Sequence, residues 1–233
     1  MFSQSLKAAF AALRALFGSW TTLVLVGLLY GGLLVVGYLF VSTREATIMQ
    51  LAITLSAIVA APALFFALQA VSVNYANNAG VTHLIEKTAR DSLRLIVVSV
   101  PLILLTALAV YGLSKINSQE TLVTAARYLL IGVIAPLLAI QLWVAASSEG
   151  LRSLLRRIRP IAAKAFAPQS VFVYASGLLF FAVAPSFLIF VHLEIERTWL
   201  EVSLLVVRLL IGALLIVIGW VTTVGTLSIL AKR

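Results

Sequence analysis

Two arginines stand inside hydrophobic runs of this 233-residue chain, and each follows a glutamate by seven residues. Glu120 precedes Arg127, which is followed by YLLIG, and Glu201 precedes Arg208, which is followed by LLIG. A guanidinium at membrane depth costs from ~2.5 kcal/mol upward, so such a residue is a functional candidate by default. If both face a shared crevice, Arg127 and Arg208 form an anion or lipid-headgroup site, because the guanidinium fork binds carboxylate and phosphate oxygens in bidentate fashion. The competing arrangement is snorkelling, in which each long side chain reaches the interface or pairs with a nearby carboxylate.

The remaining candidate binding groups are cations in three basic amphipathic stretches. These are SLKAAFAALRALFGSW (Ser5 to Trp20), THLIEKTARDSLRL (Thr82 to Leu95) and LRSLLRRIRPIAAKAF (Leu151 to Phe166). In the first, Phe2, Leu6, Phe10, Leu13 and Phe17 recur at steps of three and four, while Ser3, Lys7 and Arg14 share another stripe. The second sets Val81, Leu84, Ile85, Thr88 and Ile96 against His83, Glu86, Lys87, Arg90 and Arg94, with Glu86 and Arg90 spaced for an i,i+4 pair. The third sets Leu151, Leu154, Leu155 and Ile158 against Arg152, Arg156 and Arg159 until Pro160 interrupts the helix. The helical period predicts interfacial helices whose cations, Lys7, Arg14, Lys87, Arg90, Arg94, Arg152, Arg156, Arg157 and Arg159, meet anionic lipid or a soluble partner such as an ATPase subunit.

Bond-making chemistry has little to work with. There is no cysteine, hence no disulfide, thiolate ligand or redox switch, and the sole aspartate, Asp91, excludes a two-aspartate dyad. His83 and His192 are expected on opposite sides of the membrane and cannot share a metal. All eight carboxylates are expected in loops or at helix ends, leaving no buried acid to carry protons. No phosphate loop and no nucleic-acid motif is present. The expectation is therefore a non-enzyme without metal or cofactor, and a buried histidine or acid would reopen the question.

The elements that must position these residues follow from composition. With 62% hydrophobic and 11% charged residues, the chain lacks the polar surface of a soluble globule. A spanning helix needs ~20 mainly apolar residues. Six stretches qualify: Trp20 to Ser42, Ala46 to Tyr75, Leu95 to Ser114, Val123 to Ser147, Ser170 to Val191 and Val202 to Leu230. Runs such as TLVLVGLLYGGLLVVGYLF are continuously apolar, which excludes the alternation a barrel requires. Twelve cations fall on the side of the termini (the nine above with Lys164, Lys232 and Arg233), against Arg44, Lys115 and Arg197 opposite. The positive-inside rule then places both termini in the cytoplasm and the protein in an inner (plasma) membrane.

The three stretches each introduce two spans, so the chain reads as one transmembrane domain, 1–233, built from repeat units near 1–76, 77–148 and 149–233. APALFFALQ (Ala61 to Gln69) matches APLLAIQ (Ala135 to Gln141), each with a proline and a following glutamine. GLLYG (Gly27 to Gly31) is a GxxxG pattern expected to pack on another helix of the chain, and Pro62, Pro101, Pro136 and Pro185 fall in four spans. The predicted fold is all-α: six transmembrane helices as three repeated hairpins, each preceded by a basic amphipathic helix.

SLKAAFAALRALFGSW leading straight into the first span, with its echoes at Thr82 and Leu151, resembles bacterial polytopic membrane families, among them the membrane domain fused to glycerophosphodiester phosphodiesterases. The catalytic domain with its metal-binding acids is missing here, so the resemblance implies architecture and no activity. The functional expectation is a scaffold or lipid-interacting membrane protein whose partners are membrane lipids, especially anionic ones. The alternative is the permease subunit of a transporter, with the second and third stretches as coupling helices for an ATPase.

Overall fold

In lipid a backbone must satisfy its own hydrogen bonds, and long apolar runs do so as helices. The computed structural model describes residues 2–43, 47–77, 81–115, 120–149, 154, 157–191 and 198–232, and among these there are helices and no strand. The helices are α1 (Phe2–Phe17), α2 (Trp20–Ser42), α3 (Ile48–Asn74), α4 (Val81–Ser114), α5 (Glu120–Leu129), α6 (Ala135–Glu149), α7 (Ile158–Ala165), α8 (Pro168–Leu178), α9 (Ala184–Phe190) and α10 (Thr198–Ala231). A 3-10 turn (Tyr75–Asn77) ends α3, and π-helical turns join α5 to α6 (Leu130–Ile134) and α8 to α9 (Leu179–Val183). Six of the resulting helical segments are long and apolar enough to cross a bilayer, at the positions the sequence predicts.

Local chemistry sets several boundaries. Ser19 caps α2 by accepting from the Thr22 amide at 3.3 Å, and Thr47 with Gln50 forms a reciprocal capping box at the start of α3. Both π-turns run directly into Ala-Pro, at Ala135-Pro136 and Ala184-Pro185. Proline lacks an N–H and its ring crowds the carbonyl four residues back, so a locally widened turn accommodates it. Within the first of these turns the Gly132 carbonyl accepts from the Tyr174 hydroxyl of α8 at 2.7 Å. Pro160 departs from expectation. It lies in the first turn of α7, where a missing N–H costs nothing, so it begins a helix instead of interrupting one.

The core gathers around the C-terminal half of α10, where Val221, Thr223, Val224, Thr226, Leu227 and Ser228 are all buried. Against this post pack α1, α3, α6, α8 and α9. Bilayer interiors give little hydrophobic drive for helix association, so small residues and interhelical hydrogen bonds matter most. A Cβ on Gly225 would strike the Tyr75 ring, and one on Gly219 would come within 3.1–3.3 Å of Phe180 and Phe181, two of these contacts being with main-chain atoms. Ser228 donates to the Val73 carbonyl at 2.8 Å, and Tyr75 donates to that of Val221 at 3.4 Å. The GxxxG expectation is corrected: Gly27 and Gly31 meet nothing within 4 Å, and Gly32 faces Leu64 instead.

Packing is lopsided along the membrane normal. Contacts of α1 with α10, of Lys164 with the Ala231 carbonyl and of Gln169 with Gln4 place both chain ends at one end of the bundle. The largest fully buried side chains, including Leu16, Leu95, Leu137, Ile140 and Leu227, sit in that half. At the far end α5 buries nothing, and α2 buries only Thr22 and Val26 near its start.

The amphipathic stretches are used differently from one another. α1 buries Ser5, Ala8, Ala12 and Leu16 against the bundle and leaves Phe2, Leu6, Phe10 and Phe17 exposed. It therefore has three faces: a small one for packing, an aromatic one for lipid and a polar stripe. The second stretch is not a separate surface helix. It is the first part of α4, whose 34 residues reach about 51 Å, well beyond a hydrocarbon core. The third breaks before α7, and most of its first turn, with Arg152 and Arg156, lies outside the described residues.

Candidate functional site

The two arginines flagged by the sequence have different surroundings. Arg208 donates through Nε to the Leu188 carbonyl and through Nη2 to those of Ile189 (3.4 Å) and Val191. Leu188 and Ile189 close α9 and Val191 follows it, so the guanidinium caps the end of the helix. Arg127, on α5, is half-buried, and its Nε is enclosed without a partner among the described residues. α5 packs on α4 and forms no extended interface with α10. Glu120 and Glu201 are exposed at the outer ends, and among the described residues neither pairs with its arginine.

The expectation that no acid is buried is overturned at Asp91, which is 1% exposed. The reason is the register of α4, where Leu84, Thr88, Asp91, Leu95 and Ser99 follow one another at helical spacing along the buried face. Asn74 at the end of α3 donates Nδ2–H to Asp91 Oδ2 at 2.8 Å, and Arg94 lies 3.5 Å from Oδ1. A buried acid reopens the question of catalysis, but both carboxylate oxygens are engaged, so we read the group as a tie between α3 and α4. No cluster of three histidine or acidic side chains able to hold a metal exists among the described residues. His83 is exposed, and His192 lies outside the described residues.

Close by, at the end carrying the termini, is a cavity of about 310 Å³ between the C-terminal turns of α6 and α10 and helix α7. Its wall includes Gln141, Ser148, Glu149, Arg157, Lys164 and Lys232. Arg157 pairs with Glu149 at 3.0 Å, and Lys164 donates one proton to the Ala231 carbonyl at 3.0 Å, capping α10. Lys232 is exposed, yet partial desolvation and then the neighbouring Lys87 pull it below the ordinary lysine range, and Asp91 partly offsets this. Gln141 is 4% exposed, yet its amide has no hydrogen-bond partner among the described residues. Its counterpart Gln69 differs, accepting from the Trp220 indole at 2.7 Å.

At membrane depth an apolar cleft of about 530 Å³ lies between α3, α4 and α6, lined by Phe65, Phe66, Leu102, Ile131, Pro136 and Trp143. Trp143 is fixed there by donating its indole N–H to Ser99 at 2.8 Å. A second apolar groove of about 360 Å³ runs beneath α1 against α8 and α10, between Leu6, Leu13, Phe172 and Ile218.

Of the predicted surface cations, Lys7, Arg14, Arg90, Arg157 and Arg159 are exposed and Lys87 and Arg94 half-buried, all at the end of the termini. Arg90 meets Glu86 at 3.6 Å, as their spacing predicts. Sequence reasoning passed over Asp91, Gln141, Lys164 and Lys232 as a set. No family model, curated protein or solved structure matches the chain, so the reading of its function rests on its own geometry.

Proposed function

We propose that the chain is a non-enzymatic, multi-pass protein of a bacterial inner (plasma) membrane, with both termini cytoplasmic, that acts as a scaffold or lipid-interacting protein. The observation that carries this reading is the lopsided packing. A bundle sealed at one end and loose at the other, with an apolar cleft of about 530 Å³ at membrane depth, offers lipid or helical partners surface that its own helices do not cover. The three basic stretches, read as repeats, supply cations at the sealed end for an anionic leaflet, each worth roughly 1 kcal/mol near such a surface. The competing permease reading needs short surface helices to meet an ATPase, and the continuity of α4 takes the second stretch away from that role.

The deciding experiment is purification in mild detergent followed by mass spectrometry of proteins and lipids. Anionic phospholipid and membrane proteins should accompany the chain; a stoichiometric ATPase would overturn the scaffold reading in favour of the permease. Orientation is checked in intact cells with single cysteines. Ser3 is the right probe on α1 because Ser5 is buried at 3% and would be shielded by packing alone. Ser3→Cys should resist an impermeant thiol reagent and Ser42→Cys should react. The reverse pattern would invert the topology.

A further inference from the structure

We infer that the cavity between α6, α7 and the end of α10 is a binding site for a phosphate group, presented by a membrane lipid or free in solution, and held by Gln141, Lys164 and Lys232. Three features of the molecule converge on this. First, the charge balance is positive: Arg157 and Glu149 neutralise one another, which leaves two ammonium groups facing about 310 Å³ of space. A phosphate monoester carries roughly −1.5 to −2 charges near neutral pH, matching two lysines.

Second, Gln141 brings an uncommitted amide to the cavity. The residue as a whole is only 4% exposed, its amide atoms are not among the fully enclosed ones and so open onto the cavity, and they bond nothing among the described residues. The matching Gln69 has its Trp220 partner, so an unpaired amide is not a general property of this motif. The amide N–H groups of Gln141 are free to donate to a ligand oxygen.

Third, position suits the ligand. The cavity lies where the fourth and sixth spans end, at the end of the bundle where the basic residues concentrate and near the level of lipid headgroups if the chain is embedded as proposed above. The lipid source rests on that reading; the phosphate chemistry does not. Lys164 retains two protons after its bond to Ala231, both available to a phosphate oxygen.

The test uses the full chain, delipidated by detergent exchange, and follows its thermal unfolding midpoint with two probes: short-chain phosphatidic acid in the micelle, and inorganic phosphate. A ligand that binds only the folded state raises the midpoint with concentration. A rise with the lipid alone supports the site with a headgroup as its occupant, and a rise with both probes supports it with the phosphate group sufficient by itself. Gln141→Met should leave the ligand-free midpoint unchanged or higher, because no protein bond is lost. It should weaken the probe's affinity about tenfold or more, the range expected for a hydrogen bond to a charged group. Lys232→Gln, at an exposed position, should weaken it comparably without a folding defect.

Absence of any response, or variants that respond like the wild type, overturns the site. Protein that carries anionic lipid through purification yet fails this titration loses the cavity assignment and keeps the scaffold reading.

Discussion

Replacing Tyr174 by Phe isolates one interhelical bond whose cause can be traced to a single proline. In an α-helical register residue 136 would donate to the Gly132 carbonyl; Pro136 has no N–H, the Ala135 amide instead reaches five residues back to Leu130, and the Tyr174 hydroxyl donates to Gly132 at 2.7 Å. Tyr174 is 3% exposed, so water does not readily substitute. Removing the hydroxyl leaves a half-buried carbonyl without this donor, a loss of about 1–2 kcal/mol when the cost of an unmet group is weighed against the smaller values typical between membrane helices. Pro136→Ala supplies an N–H that a return to α-helical register directs at the same carbonyl. In that background Tyr174→Phe should cost less than about 0.5 kcal/mol, giving a coupling of about 1 kcal/mol between residues on different helices. Reversible unfolding in mixed micelles, monitored by circular dichroism for the wild type, both single variants and the double variant, measures all four corners. An equal loss in both backgrounds would refute the account, because the bond would then owe nothing to the proline.

Two further outcomes follow from the packing. Gly219→Ala and Gly225→Ala should each cost about 1–3 kcal/mol by overpacking, since the new methyl meets the Phe180–Phe181 segment in one case and the Tyr75 ring in the other. Gly27→Ala and Gly31→Ala, with nothing within 4 Å, should be neutral or slightly stabilising in the same micelle unfolding assay. Arg208→Lys should lose about 1–3 kcal/mol, because one ammonium cannot span the carbonyls of Leu188, Ile189 and Val191, whereas Arg127→Lys should be nearly silent. Equal tolerance at both positions would return Arg208 to the status of an interfacial anchor.

The spans were legible because a bilayer imposes a length and polarity filter that a linear sequence displays directly, and the observed helices follow it to within a few residues except where α4 and α10 run on past the core. The faces were harder. On α1 the large aromatics dominate any hydrophobic pattern, yet they point outward, and the packing face is the quiet stripe Ser5, Ala8, Ala12 and Leu16. In lipid the most apolar face need not be the inner one, because acyl chains satisfy it; small size marks the interface instead. Asp91 hid for a related reason. Arg90 before it is charged and exposed, but its neighbours at helical spacing, Thr88 and Leu95, are buried, and Asn74 and Arg94 together make the position tolerable. Arg127 and Arg208 share a sequence signature and receive different surroundings, because the carbonyls that engage Arg208 belong to a different helix, α9, and the residue that follows it.

The same divergence explains where a site can arise in a chain of near-duplicate segments. Ala-Pro followed by glutamine occurs in α3 and in α6, and in both the glutamine ends up buried near the end of the bundle that carries the termini. In α3 the indole of Trp220 completes it, so the position is closed and contributes only to packing. In α6 no described side chain does so, α7 and the end of α10 stand back to leave a cavity, and two lysines from those elements face it. An amide that has kept its place in the helix while facing open space satisfies the folding requirement in one copy and exposes a hydrogen-bonding demand in the other. An uncommitted amide that opens onto a cavity beside Lys164 and Lys232 is what a phosphate oxygen would meet there.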